Sequence, residues 1–232
     1  MRIPSLGHAL CVLALPLLLL QPAPAWSASS SKALEEAMSR DGLRKISVKG
    51  IELAYAKPGA TLANYKRVKI DPVEVAFHKS WDPTKTGSNL KVSASERENI
   101  LNGVAKLVQE EFAREIQAKS GYGLTEESAD DVLRVKINIV NLYVSAPDTG
   151  SSGRSRTYVM SAGEMTLVAE LFDSKSGDVI ARVVDRREAR SSGRMSLSWG
   201  GYNQDEARSI AAGWARILRK ALDNAHGISA KR

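Results

Sequence analysis

The sequence predicts an α+β domain: a single mixed sheet of about four strands, in the order β-α-β-β-β-α, with two long helices packed on it. Three observations predict it. Residues 66–77, 132–144 and 165–188 contain apolar side chains at the period of two that half-buried strands need. Residues 95–116 and 205–225 repeat apolar side chains every three to four positions, which places them on one helix face. The polar run Asp173-Ser174-Lys175-Ser176-Gly177-Asp178 separates two strand-like stretches and joins them as a hairpin.

Residues 1–25 read as an export signal rather than as part of the domain. Arg2 supplies positive charge, an apolar core of about a dozen residues follows, and Ala23-Pro24-Ala25 gives the small-residue cleavage pattern. That core is shorter than the roughly 20 apolar residues of a bilayer span, so no transmembrane anchor is expected. Cys11 lies inside it, preceded by His8-Ala9-Leu10, which makes a poor acylation box. Residues 26–50 are expected to form a flexible or partly helical lead-in, with a short helix over 32–40 that Gly42 ends. A single α+β domain over 51–227 follows, and 228–232 read as a disordered tail.

Within the domain, Ile51, Leu53 and Tyr55 alternate as a short strand before a turn at Lys57-Pro58-Gly59. In 66–77, Val68 and Ile70 share one parity and Val73, Val75 and Phe77 the other. The phase flips at Asp71-Pro72, and proline cannot donate to a ladder, so a bulge or an edge position is expected there. Ser95 and Glu98 have the spacing of a capping box, and Ile100, Val104, Leu107, Val108, Phe112 and Ile116 form the buried face of the helix they open. Val135, Ile137 and Ile139 alternate with Arg134, Lys136 and Asn138, giving one buried and one wet face. Met165, Leu167, Ala169 and Leu171 mark the next strand, and 179–188 its partner. Asn203 or Asp205 opens the last helix, whose apolar face runs through Ile210, Trp214, Ile217, Leu218, Ala221 and Ala225 to a stop at Gly227.

The formal charge of +7 suits acidic partners, and export argues against nucleic acid as one of them. Cys11 is the one cysteine. Cleavage of the signal therefore leaves a chain without disulfides, thiolate metal sites or cysteine nucleophiles. His78 and His226 are far apart and lack ligand spacing, so no metal site is expected. A phosphate-cradling loop, a dinucleotide fingerprint and a nucleophile elbow are all missing, so no cofactor is expected either. The adjacent carboxylates Glu110-Glu111, Glu126-Glu127 and Asp130-Asp131 do not face a common point and read as solvated charge. Asp185, beside Arg186 and Arg187, reads as part of surface ion pairs. No catalytic residue emerges, and the chain reads as non-enzymatic.

Topology yields a candidate interaction rim. If 66–77, the first long helix and 132–144 form a right-handed βαβ unit, those two strands run parallel and the loops following them leave from one end. The hairpin then returns the loop at 191–204 to the same end. This rim gathers Trp81, Tyr158, Trp199 and Tyr202 with Arg154, Arg156, Arg190 and Arg194, the residue types that binding hot spots use. Another envelope protein or an anionic glycan is the expected partner.

Tyr55-Ala56-Lys57-Pro58-Gly59-Ala60, Tyr65-Lys66-Arg67-Val68, Ile70-Asp71-Pro72-Val73-Glu74-Val75, Gly163-Glu164-Met165, Glu170-Leu171-Phe172-Asp173, Ser176-Gly177-Asp178-Val179, Asp185-Arg186-Arg187 and Trp214-Ala215 with Leu218 together resemble the domain of unknown function 3313 (DUF3313) family. The resemblance spans residues 53–222. It implies an exported bacterial envelope protein, often classed as a lipoprotein, with no assigned activity and no catalytic residue to carry over. The poor acylation box departs from a lipoprotein and favours a soluble periplasmic form. The expected function is thus a binding or scaffold module contacting another envelope component; the alternative is a periplasmic anionic-glycan or small-ligand-binding protein. A deep pocket would favour the ligand, a flat apolar patch the protein partner.

Overall fold

The computed structural model describes residues 31–82, 92–118, 121–145, 161–188 and 201–228. Its strands are β1 (Arg44–Ile46), β2 (Leu53–Ala56), β3 (Arg67–Ile70), β4 (Glu74–Phe77), β5 (Gly123–Leu124), β6 (Val132–Ser145), β7 (Ser161–Asp173) and β8 (Val179–Glu188). Its helices are α1 (Ser31–Ser39), α2 (Ala94–Gln117) and α3 (Gly201–Ala225).

The architecture is α+β, but the expected sheet of about four strands is wrong: among the described residues one sheet of eight strands runs β1-β2-β8-β7-β6-β3-β5, with β4 also paired to β6, and there are three α-helices. The stretch 66–77 is two strands rather than one bulged strand. β6, at 14 residues, is long enough to pair with β3 through Arg67↔Val132 and then with β4 through Glu74↔Asn138, both parallel. Asp71 still donates its N–H to the Val135 carbonyl at 2.9 Å, and Pro72, which has no N–H, separates the two. β1 and β5, of three and two residues, are too short to print a period on the sequence.

β3 and β4 lead through α2 into the parallel β6, and the predicted face of α2 is buried: Ile100, Val104, Leu107, Val108, Phe112 and Ile116. The capping box forms two residues earlier than expected. Glu96 N donates to Ser93 Oγ at 3.2 Å and Ser93 N to Glu96 Oε2 at 2.6 Å. The run Ser93-Ala94-Ser95-Glu96-Arg97-Glu98 holds two overlapping boxes, and spacing alone does not choose between them. Glu111 is a second correction: it is 2% exposed rather than solvated. α3 lies against α2 at that point, and Arg208 Nη1 reaches Glu111 Oε1 at 2.9 Å.

α2 and α3 cover one face of the sheet, where Val135, Ile137, Ile139, Leu167 and Ala169 meet Phe112 and Trp214. α1 covers part of the other. Met38 and Leu43 are buried there with Tyr55, Val168 and Val184; Val168 points opposite to its neighbours Leu167 and Ala169, as the strand period requires. Arg182 secures this layer, donating to Glu170 Oε1 at 2.9 Å, Asp41 Oδ2 at 2.5 Å and the Arg40 carbonyl at 3.1 Å. The segment read as a lead-in therefore supplies α1, β1 and two buried side chains. Among the described residues no helix is long and apolar enough to cross a membrane.

Candidate functional site: an apolar pocket beneath the last helix

The helix-facing side of the sheet changes character from centre to edge. Ile137 pairs with Ala169, Ala169 with Val183, Val183 with Ala54 and Ala54 with Ile46, so these five share one row and one face. The next row runs Val135, Leu171, Ala181, Ala56 and Arg44. Large side chains fill the centre beneath α2. Toward β2 the rows carry Ala169, Ala181, Ala54 and Ala56, and α3 answers with Ala221 beside Ile217 and Leu218. Alanines on both walls leave a gap.

That gap is a pocket of about 240 Å³. Phe112, Val135, Leu167 and Trp214 form its buried end, and Ile46, 44% exposed, lies at its outer side. Protein interiors close voids larger than a water molecule. An apolar cavity of roughly 150 Å³ already takes benzene, whereas sites for drug-sized ligands start near roughly 300 Å³. The size therefore suits one slender apolar group. Among the described residues the lining contains no carboxylate, imidazole, thiol or amine.

A buried carboxylate fixes one wall. Asp185, 5% exposed, accepts Trp214 Nε1–H at 2.7 Å, Arg187 Nε–H at 2.5 Å and the Glu52 backbone N–H at 2.9 Å. Arg187 Nη2 also donates to the Gly50 carbonyl at 2.6 Å, tying the β1–β2 loop to β8. This overturns the reading of Asp185 as a surface ion pair. It shares parity with Ala181 and Val183 and lies opposite Leu167, so it faces the helices. The pocket itself was missed from sequence. Its only local signal is small residues at apolar parity, at Ala54 and Ala56, Ala169, Ala181 and Ala221.

A second, polar cleft of about 330 Å³ lies at the β7–β8 hairpin. The motif residues Lys57, Pro58, Gly59, Tyr65, Asp173, Ser176 and Asp178 all line it. Their polar groups engage one another: Tyr65 donates to Asp173 Oδ2 at 3.0 Å, Lys57 to Asp178 Oδ2 at 3.0 Å, and the Ser176 and Lys175 N–H groups to Asp173 Oδ1 at 2.8 and 3.0 Å. Gly177 closes the turn at a φ of 76°, in the left-handed region. The cleft is a corner locked by its own side chains.

This corner predicts a pH response at both extremes. Burial, helped by the bond to Asp173, pushes the Tyr65 hydroxyl up to about 12. Its contribution to stability is complete below the ordinary phenol value of about 10 and disappears as pH rises through the folded value. Asp173 is held below the usual carboxylate range, chiefly by the Ser176 N–H. Its contribution is present above about pH 4 and is lost as pH falls through the lowered value. Tyr122, buried and bonded to Asp223 Oδ1 at 3.0 Å, is also pushed up to about 12. Alkaline titration of tyrosinate absorbance should thus show a late-ionising class that Tyr65→Phe reduces. An unchanged late class in the variant would refute this assignment.

Of the predicted rim, the structure describes one side chain. Trp81 is 8% exposed and stacked on Phe77, with ring centroids 4.0 Å apart and planes 5° apart; the Arg97 guanidinium lies 5.3 Å from its ring. Trp81 is therefore a core residue against the start of α2. Arg154, Arg156, Tyr158, Arg190, Arg194 and Trp199 lie outside the described residues. Tyr202 falls in the first turn of α3, with its side chain outside the description. Among the described residues no group of three His, Cys, Asp or Glu side chains could hold a metal ion.

A family model described as "Protein of unknown function (DUF3313)" matches residues 30–218. Among solved structures, the chain is similar to the PelC dodecamer from Paraburkholderia phytofirmans, at 13% identity and a TM-score of 0.36, over 76% of this chain and 98% of that one. It is also similar to a DUF330 protein from Xanthomonas campestris, at 10% identity and a TM-score of 0.37, over 73% of this chain and 91% of that one. Likeness at these scores says nothing about function. No curated protein matches the chain.

Proposed function

The chain belongs to the DUF3313 family of proteins of unknown function, and from that premise we propose that it is an exported, non-enzymatic binding protein of the bacterial envelope whose apolar pocket holds a hydrocarbon group. The export signal supports a periplasmic location. The pocket carries the reading of function. It is concave, so it suits a ligand better than the flat surface of a protein partner. Its walls are apolar, so it suits a hydrocarbon better than the hydroxyl-rich face of a glycan. A non-polar chain in this space removes its own surface and that of the alanine rows from water, worth about 0.8 kcal/mol per methylene, or roughly fourfold in affinity.

The test is a titration of the mature protein with straight-chain alcohols from butanol to decanol, followed by tryptophan fluorescence, to which Trp214 in the pocket wall contributes. Affinity should rise about fourfold per methylene and level off once the chain fills the pocket. Ala181→Phe should occupy the space and abolish saturable binding while the protein still melts cooperatively. No saturable signal from the unaltered protein, or equal binding by a folded Ala181→Phe variant, would overturn the reading.

A further inference from the structure

We propose that the ligand is an amphiphile with an anionic head, and that Arg44 at the pocket mouth meets that head. This rests on the pocket being a hydrocarbon site and specifies which hydrocarbon-bearing molecule it takes.

The placement follows from register. Arg44 pairs with Ala56 and Ile46 with Ala54. Directly opposed residues share a face, and both alanines line the pocket. Arg44 and the exposed Ile46 therefore stand on the pocket side of the edge strand, an apolar group next to a cation. Lys45, between them, points to the opposite face, where Glu35 in α1 accepts its ammonium at 3.0 Å. Past the strand, Val48 lines the pocket and the exposed Lys49 follows it.

The cations of this edge divide into two sets. Lys45, Lys57 and Arg182 are each engaged by a carboxylate: Glu35, Asp178 and Asp41 respectively. The side chains of Arg44 and Lys49 have no hydrogen bond or ion pair with any described residue. Two positive charges without a described partner thus adjoin the pocket, Arg44 opposite Ala56 and Lys49 next to Val48, and among the described residues the lining has no charged group. A neutral chain would use the pocket and leave them idle. A cationic amphiphile would be repelled by them. An anionic head leaves its tail among the alanines and its charge beside Arg44 and Lys49. A free carboxylate and a phosphate on a lipid share this chemistry.

The experiment compares three ligands with one tail and different heads: decanoate, decanol and decyltrimethylammonium, each titrated against the mature protein. Binding should rank decanoate, then decanol, then the ammonium. Exposed ion pairs predict about two- to fivefold between the first two, and added salt should shrink the gap. Arg44→Glu and Lys49→Glu, separately and together, should abolish or invert the preference and leave decanol affinity unchanged. Equal binding of decanoate and decanol by the unaltered protein overturns the head-group assignment and leaves the pocket reading standing. Failure of all three to bind overturns both. Decyl phosphate and phosphatidylglycerol vesicles distinguish the sources. Uptake of decyl phosphate in rank with decanoate supports the proposal. Sedimentation with vesicles without uptake of either free amphiphile overturns it in favour of a membrane-surface contact.

Discussion

Replacing Asp185 with alanine is expected to destabilise the protein by about 3 kcal/mol, chiefly because it strands a buried donor. Trp214 is 2% exposed, and its indole N–H has Asp185 as its partner at 2.7 Å. A buried donor without an acceptor costs about 1–3 kcal/mol, and the Glu52 N–H loses its acceptor as well. Arg187 adds less, because its half-exposed side chain can return to water. For a domain of this size the loss lowers the melting temperature by roughly 6–12 °C. Asp185→Asn keeps an acceptor and should lose about 1 kcal/mol. Trp214→Phe placed on the Asp185→Ala background should recover part of the deficit, since no indole N–H then remains to strand. Thermal unfolding of the four proteins checks this, and an Asp185→Ala variant melting within about 2 °C of the parent would refute it.

Removing both Arg114 and Arg208 should cost about 3–5 kcal/mol, whereas Glu111→Leu should come close to neutral. Glu111 is a carboxylate buried between α2 and α3, held by Arg208 at 2.9 Å and by Arg114 one helical turn away. Without the arginines, the charge stays buried with no partner. Without the carboxylate, the arginines, both substantially exposed, regain water, and leucine fills the space with apolar surface. The asymmetry is the distinguishing result. Urea unfolding should place Glu111→Leu near the parent and the double arginine variant far below it; the reverse order would show that Glu111 acts through packing rather than charge.

Both networks were illegible in the sequence for the same reason. Glu111 and its arginine Arg208 lie 97 positions apart, and Asp185 and Trp214 lie 29 apart. Periodicity says which face a residue takes, not what crosses above it. In sequence Asp185 stands beside Arg186 and Arg187, and only the parity shared with Ala181 and Val183 places it toward α3. Glu111 sits next to Phe112 on a face widened by the second helix. Trp81 drew attention as an aromatic in a polar loop, yet it stacks on Phe77, three residues beyond the start of β4.

By itself the sequence determined the long elements, because each repeats its pattern over enough residues to be read: the buried face of α2, the parallel βαβ unit, and the β7–β8 hairpin with its Gly177 turn. It also determined the family, through motifs that converge on the hairpin corner. Tertiary structure alone decided the eight-stranded sheet, since β1 and β5, of three and two residues, owe their existence to long-range pairing rather than to local pattern. It also decided the pocket. Ala54, Ala169, Ala181 and Ala221 are ordinary small residues one at a time, and they make a cavity only when register and the path of α3 set them against one another.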